Sequence, residues 1–115
     1  MAAPTIDPAT FKALQDAAGV DFVTDLVRTF FEEAPAMIAD LRTSLAAGDA
    51  DRFRRAAHSL KSNSNTFGAF ALGSLARELE LSSAERAASR KAESLEPLAA
   101  EYQRVAARLE EMIRA

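Results

Sequence analysis

Residues 50–66 read Ala50-Asp51-Arg52-Phe53-Arg54-Arg55-Ala56-Ala57-His58-Ser59-Leu60-Lys61-Ser62-Asn63-Ser64-Asn65-Thr66. At about 100° per residue, Phe53, Ala56, Ala57, Leu60 and Ser64 all fall within about 60° of Phe53. That is the single apolar stripe of an amphipathic helix. His58 lies about 140° from Phe53 and Ser62 about 180° from it. Arg55 and Asn65 share this outer side, with Arg54 and Lys61 at its border. The spacing predicts a helix from about Ala50 to Asn63 or a little beyond, burying Phe53 and exposing His58. Ser62 to Thr66 are poor helix formers and blur its end.

Upstream, Val23, Leu26, Phe30, Ala34, Met37, Leu41 and Leu45 keep the same helical spacing over a longer stretch. Val27, Phe31 and Ile38 widen that stripe, and Gly48-Asp49 closes it. Pro35 falls inside. An interior proline removes one backbone hydrogen bond and costs about 3 kcal/mol. The stripe resumes in phase after it, so a kink near Phe31 to Pro35 is expected rather than a break. Before this helix, Asp7 is an N-cap with Pro8 at the first helical position. Phe11, Leu14 and Ala18 then share a face, and Gly19 is a stop.

Downstream, Phe67 and Gly68 mark a turn. Leu72, Leu75, Ala76 and Leu79 face inward on a fourth helix. Ser82 with Glu85 either caps a continuation or marks a loop. Pro97 is tolerable in a first helical turn, so the last helix is expected to start near Ser94. It would bury Leu95, Leu98, Tyr102, Val105, Leu109 and Met112 or Ile113. Short connections between long amphipathic helices imply antiparallel neighbours. The expected fold is all-α: one domain over residues 1–115, an antiparallel up-down four-helix bundle with a short additional N-terminal helix.

Composition narrows the chemistry. With 115 residues and 49% apolar content, the chain is sized for one packed core. It has no cysteine and one histidine. Disulfides, thiolate catalysis and zinc sites are therefore set aside, and no metal or cofactor is expected. Neither phosphate-cradling glycine pattern occurs. Glu78 and Glu80 are two apart and so point to different sides of a helix. No serine sits in a nucleophile elbow. No apolar run approaches the roughly 20 residues of a membrane span, and the N-terminus lacks the basic start and apolar stretch of a signal peptide. A soluble, cytoplasmic monomer is expected. The net charge of −3 argues against a nucleic-acid partner.

That charge is uneven. No acidic residue lies between Asp51 and Glu78, whereas Arg52, Arg54, Arg55, Lys61 and Arg77 do. His58 sits in this basic segment, and the residues after it form a register. The run Ala57-His58-Ser59-Leu60-Lys61-Ser62 is followed by Gly68, Leu72, and Leu79-Glu80. This resembles the histidine-containing phosphotransfer (HPt) domains of two-component phosphorelays. Their pattern runs A-H-x-L-K-G/S, then a glycine, a leucine and a Leu-Glu or Leu-Gln pair at the same spacings. Phe30-Phe31-Glu32-Glu33-Ala34-Pro35 also resembles the family's second helix, where proline is often seen. The resemblance covers nearly the whole chain. Ser62 stands where glycine is most frequent, and Ala76 where many members carry cysteine.

The resemblance implies a phosphorelay intermediate rather than an enzyme. A phosphoryl group would be accepted on His58 from a receiver-domain phospho-aspartate or a hybrid histidine kinase, then passed to another receiver aspartate. The receiver would supply the metal. Imidazole attacks only as the neutral base, and near neutral pH the ring is largely in that form. The family implies that Glu80 accepts a hydrogen bond from Nδ1–H and so leaves Nε2 as the nucleophile. Lys61 would offset phosphoryl charge. Ser62 is small enough to leave the ring reachable, and its hydroxyl can donate a hydrogen bond. Arg54, Arg55 and Asn65 are candidates for a partner-binding rim, and Gly68 for a structural turn or close helix approach. Two other readings stand beside this one: a helical interaction module without phosphotransfer, and a helical enzyme using His58 as general base.

Overall fold

The computed structural model describes residues 4–114. Met1 to Ala3 and Ala115, the extreme ends of the expected domain and signal-free N-terminus, lie outside the described residues. Six α-helices follow in order: α1 (Pro8–Ala18), α2 (Val20–Ala47), α3 (Ala50–Thr66), α4 (Phe70–Leu81), α5 (Ser83–Ser89) and α6 (Glu96–Arg114). A 3-10 turn over Ala92–Leu95 leads into α6. No strand occurs among the described residues. α2 packs on α3, α3 on α4, α4 on α6 and α6 on α2. These contacts close the expected antiparallel bundle, with α1 as its short N-terminal addition.

The helix ends follow local chemistry. Asp7 caps α1 by accepting from the Thr10 amide at 3.1 Å. Asp49 caps α3 by accepting from the Arg52 amide at 3.1 Å. Each satisfies one of the amides that a helix start leaves without a partner. Gly48, at φ +70°, ends α2 in the left-handed region. Pro35 sits inside α2, and the helix runs on through it. The Pro35 side chain is exposed, while the buried stripe of Phe30, Ala34, Ile38 and Leu41 continues past it.

Four details differ from the sequence expectation. First, α3 runs on to Thr66 despite its polar end. Ser64 lies on the buried side and donates its hydroxyl to the Leu60 carbonyl at 2.6 Å, so a poor helix former is satisfied within the helix. Second, α1 buries Phe11, whereas Leu14 is half-buried and Ala18 is exposed. Third, Ser82 is not a side-chain cap for α5. Its hydroxyl donates to the Glu78 carbonyl at 2.6 Å and accepts from Arg86 Nε at 3.1 Å. A one-residue break there separates α4 from α5, and α5 lies against α3 and α2. Fourth, α6 begins at Glu96, with Pro97 in its first turn where no amide is needed.

The core runs through the whole bundle. Phe53, Leu60, Leu41, Leu72, Val105 and Leu109 are fully enclosed. The Phe30 ring of α2 packs tilted against Phe67, with centroids 5.3 Å apart, and edge-on to Tyr102 of α6 at 5.9 Å. Phe53 and Leu60 anchor α3 on the side away from His58, which fixes the direction in which the histidine is presented.

Candidate functional site

His58 stands in the middle of α3 with its side chain 56% exposed. Glu80, near the end of α4, is only 16% exposed and lies 2.7 Å away, with its Oε2 facing His58 Nδ1. A carboxylate only accepts, so Nδ1 carries the proton and donates it. Among the described residues, the nitrogen left without a partner is Nε2. Lys61, one turn after His58 and 25% exposed, places its Nζ at 2.7 Å from Glu80 Oε1. That approach is off a hydrogen bond's angle and acts as a close charge pair. One carboxylate thus holds both the imidazole and the ammonium.

The charges explain each other. The Lys61 ammonium, the largest influence, holds the Glu80 carboxyl below its ordinary 4.5 against the opposing effect of desolvation, and His58 adds to the lowering. A carboxylate depressed on folding stabilises the native state above its ordinary pKa and ceases to do so as pH falls through the folded value. Glu80→Gln is therefore expected to lose about 1 kcal/mol of stability at neutral pH. The gap to wild type should close once pH falls well below 4.5. Denaturant titrations of both proteins across this range check the sign.

The remaining residues of the sequence expectation distribute around this centre. Ser62 is exposed one turn on from His58, and Asn65 is exposed two turns on. Arg54 and Arg55 are exposed one turn earlier but are engaged with Asp51, at 2.9 Å and 3.3 Å. Arg54, then Arg55, hold the Asp51 carboxyl below its ordinary range. Arg52 pairs with Asp40 of α2 at 2.6 Å. The basic run is thus more compensated in space than along the chain. Among the described residues, no group of three or more His, Asp and Glu side chains is placed to hold a metal ion.

Gly68 sits at φ +84° in the α3–α4 turn. Its carbonyl accepts from the Asp7 amide at 2.9 Å, and a Cβ there would press within 3.1 Å of the Asp7 carbonyl oxygen. It therefore joins α1 to the turn that sets α4 against α3. Gly73 went unnoticed in the sequence. A Cβ at Gly73 would overlap the Asn65 side-chain oxygen, so this glycine lets the Asn65 amide lie on α4 two turns before Glu80. A glycine inside a helix-forming stretch is the signal that could have found it.

The family model described as the Hpt domain matches residues 25–115. The chain is an Hpt domain. The crystal structure of histidine-containing phosphotransfer protein B from Pseudomonas aeruginosa PAO1 is similar to it, with a TM-score of 0.88 and 28% identity. That match covers 98% of this chain and 97% of the other. No curated protein matched. The Hpt domain is a histidine phosphotransfer intermediate of phosphorelay signalling, a class of phosphocarriers that work with receiver or kinase partners. Among the described residues, no helix of this Hpt domain is long and apolar enough to cross a membrane.

Proposed function

We propose that His58 is the residue that carries the phosphoryl group and that Nε2 is the atom that binds it. The observation behind this reading is the 2.7 Å contact between Nδ1 and the largely buried Glu80, beside a ring that is otherwise half open to solvent. The Nε2 lone pair attacks the phosphorus of a receiver's aspartyl phosphate. The N–P bond forms as the P–O bond breaks, and the aspartate carboxylate leaves with the electron pair. Nδ1 keeps its proton throughout, and Glu80 offsets the positive charge that grows on the ring. Catalysis of this kind is mainly positioning and charge stabilisation.

Lys61 is the cation for the phosphoryl oxygens, stored on Glu80 at 2.7 Å before transfer. Ser62 leaves the ring accessible and offers a hydroxyl donor. Arg54, Arg55 and Asn65 form the rim. With Asp51 engaging both arginines, their contribution is to guide encounter rather than to bind phosphate. Gly68 has a structural part. Donor and metal come from the receiver, so the protein acts as a stoichiometric carrier without an ATP or metal site of its own. His58 is exposed and shares Glu80 with Lys61, which favours a carrier over an interaction-only bundle. We read the chain as a single domain over 1–115, because one apolar cluster runs from Ile6 to Leu109. The helices cover one another's apolar faces within one chain, which supports a monomer. Phosphoryl groups drawn from ATP favour a cytoplasmic setting.

The test is chemical. The protein is incubated with receiver domains charged by labelled acetyl phosphate. The label it takes up is expected to be acid-labile and base-stable, and phosphorus–nitrogen NMR correlation should place it on Nε2. Acid-stable label, or phosphorus on Nδ1, would overturn the assignment.

A further inference from the structure

Among the described residues, four large apolar side chains are exposed: Val20, Phe22, Phe70 and Leu81. Leu81 is the most open, at 70%. It adjoins Glu80, which touches His58 at 2.7 Å. With adjacent Cα atoms about 3.8 Å apart and the reach of a glutamate side chain, the Leu81 Cα lies within about 14 Å of His58 Nε2. One side of a standard interface covers about 800 Å², a disc of roughly 16 Å radius. A footprint of that size centred on Nε2 therefore includes Leu81.

Direction agrees with distance. On α4, Leu81 points about 170° away from the mean of the buried Leu72, Ala76 and Leu79. His58 is likewise turned away from the core on the adjoining α3. Arg77 lies one turn before Leu81, within about 40° of it around the helix. Arg77 is exposed, and none of the ion pairs among the described residues involves it. The other exposed apolar groups are placed differently. Phe22 and Val20 begin α2, so antiparallel packing sets them about 25 Å along the bundle from His58. Phe70 begins α4, about 15 Å along that helix from Glu80.

We infer that Leu81, flanked by Arg77, is an apolar anchor on the α4 side of His58 on which the receiver domain seats. This rests on the carrier reading of His58. An open apolar group with a cationic neighbour one turn away suits a partner whose reacting centre is an anionic acyl phosphate.

The experiment uses the full chain with the receiver domain that charges it fastest, over a range of receiver concentrations. Leu81→Asp is expected to raise the half-saturating receiver concentration about tenfold or more. The plateau transfer rate should remain that of wild type, and Leu81→Met should stay within about twofold of wild type at both. Phosphoramidate, which needs no docking surface, is expected to label wild type, Leu81→Asp and Leu81→Met equally. An unchanged half-saturation for Leu81→Asp, with normal phosphoramidate labelling, overturns the anchor and leaves the carrier reading in place. Wild type that takes label from neither phosphoramidate nor any charged receiver overturns the carrier reading, and the anchor with it.

Discussion

His58→Gln is expected to abolish phosphoryl acceptance and to leave the fold standing. Glutamine has a length similar to the imidazole's reach and can still donate to Glu80, so Lys61 and Glu80 keep their 2.7 Å pair. What it lacks is a lone pair that can form an N–P bond, because the amide nitrogen is not nucleophilic. On the proposed route every transfer requires that bond, so the expected loss is complete rather than partial. The exposed position of His58 keeps the stability change below about 1 kcal/mol. The check has two parts: label from a charged receiver or from phosphoramidate, and a thermal unfolding curve. Label that persists in the variant would remove His58 from its role. A collapsed unfolding curve would show that the ring has a packing duty not visible in its exposure.

The largest effect on stability is expected from the opposite side of the same helix. Phe53 is fully enclosed, and Phe53→Ala removes most of an aromatic ring from a packed interior. Such substitutions cost about 3–5 kcal/mol through lost burial and the cavity left behind. Domains of this kind have about 5–15 kcal/mol in total, so a large share is lost, and the melting temperature should fall by about 15 °C or more. Where the variant remains folded at low temperature, it should still take label from phosphoramidate, since it retains His58. A shift of only a few degrees would mean that α3 is held mainly by its neighbours' contacts and not by this side chain.

The fold was legible because its elements are long and regular. The stripe through Phe53, Ala57 and Leu60 placed α3, and the same stripe turned His58 outward. Elements governed by single local interactions were not legible. At the break between α4 and α5 the Ser82 hydroxyl donates to Glu78 and accepts from Arg86, and helical periodicity carries no trace of that. The polar end of α3 looked unstable because propensity does not register that Ser64 is satisfied by Leu60. At the site, spacing brought His58, Lys61 and Ser62 to one region. It could not bring Glu80 to them, because that meeting depends on how closely two helices approach; only the family register linked them. The pairing of Arg54 and Arg55 with Asp51 was overlooked because the acidic partner lay at the boundary of the basic run rather than inside it.

The bond from Nδ1 to Glu80 has a consequence for signalling logic. On the proposed route the same proton, carboxylate and free nitrogen would serve arrival and departure of the phosphoryl group, so exchange with any one receiver would cross the same barrier in both senses. A carrier built this way has no internal ratchet. Flow through it follows the relative abundance and phosphorylation level of the receivers it meets, and a partner kept dephosphorylated can drain a pathway backwards through the same histidine.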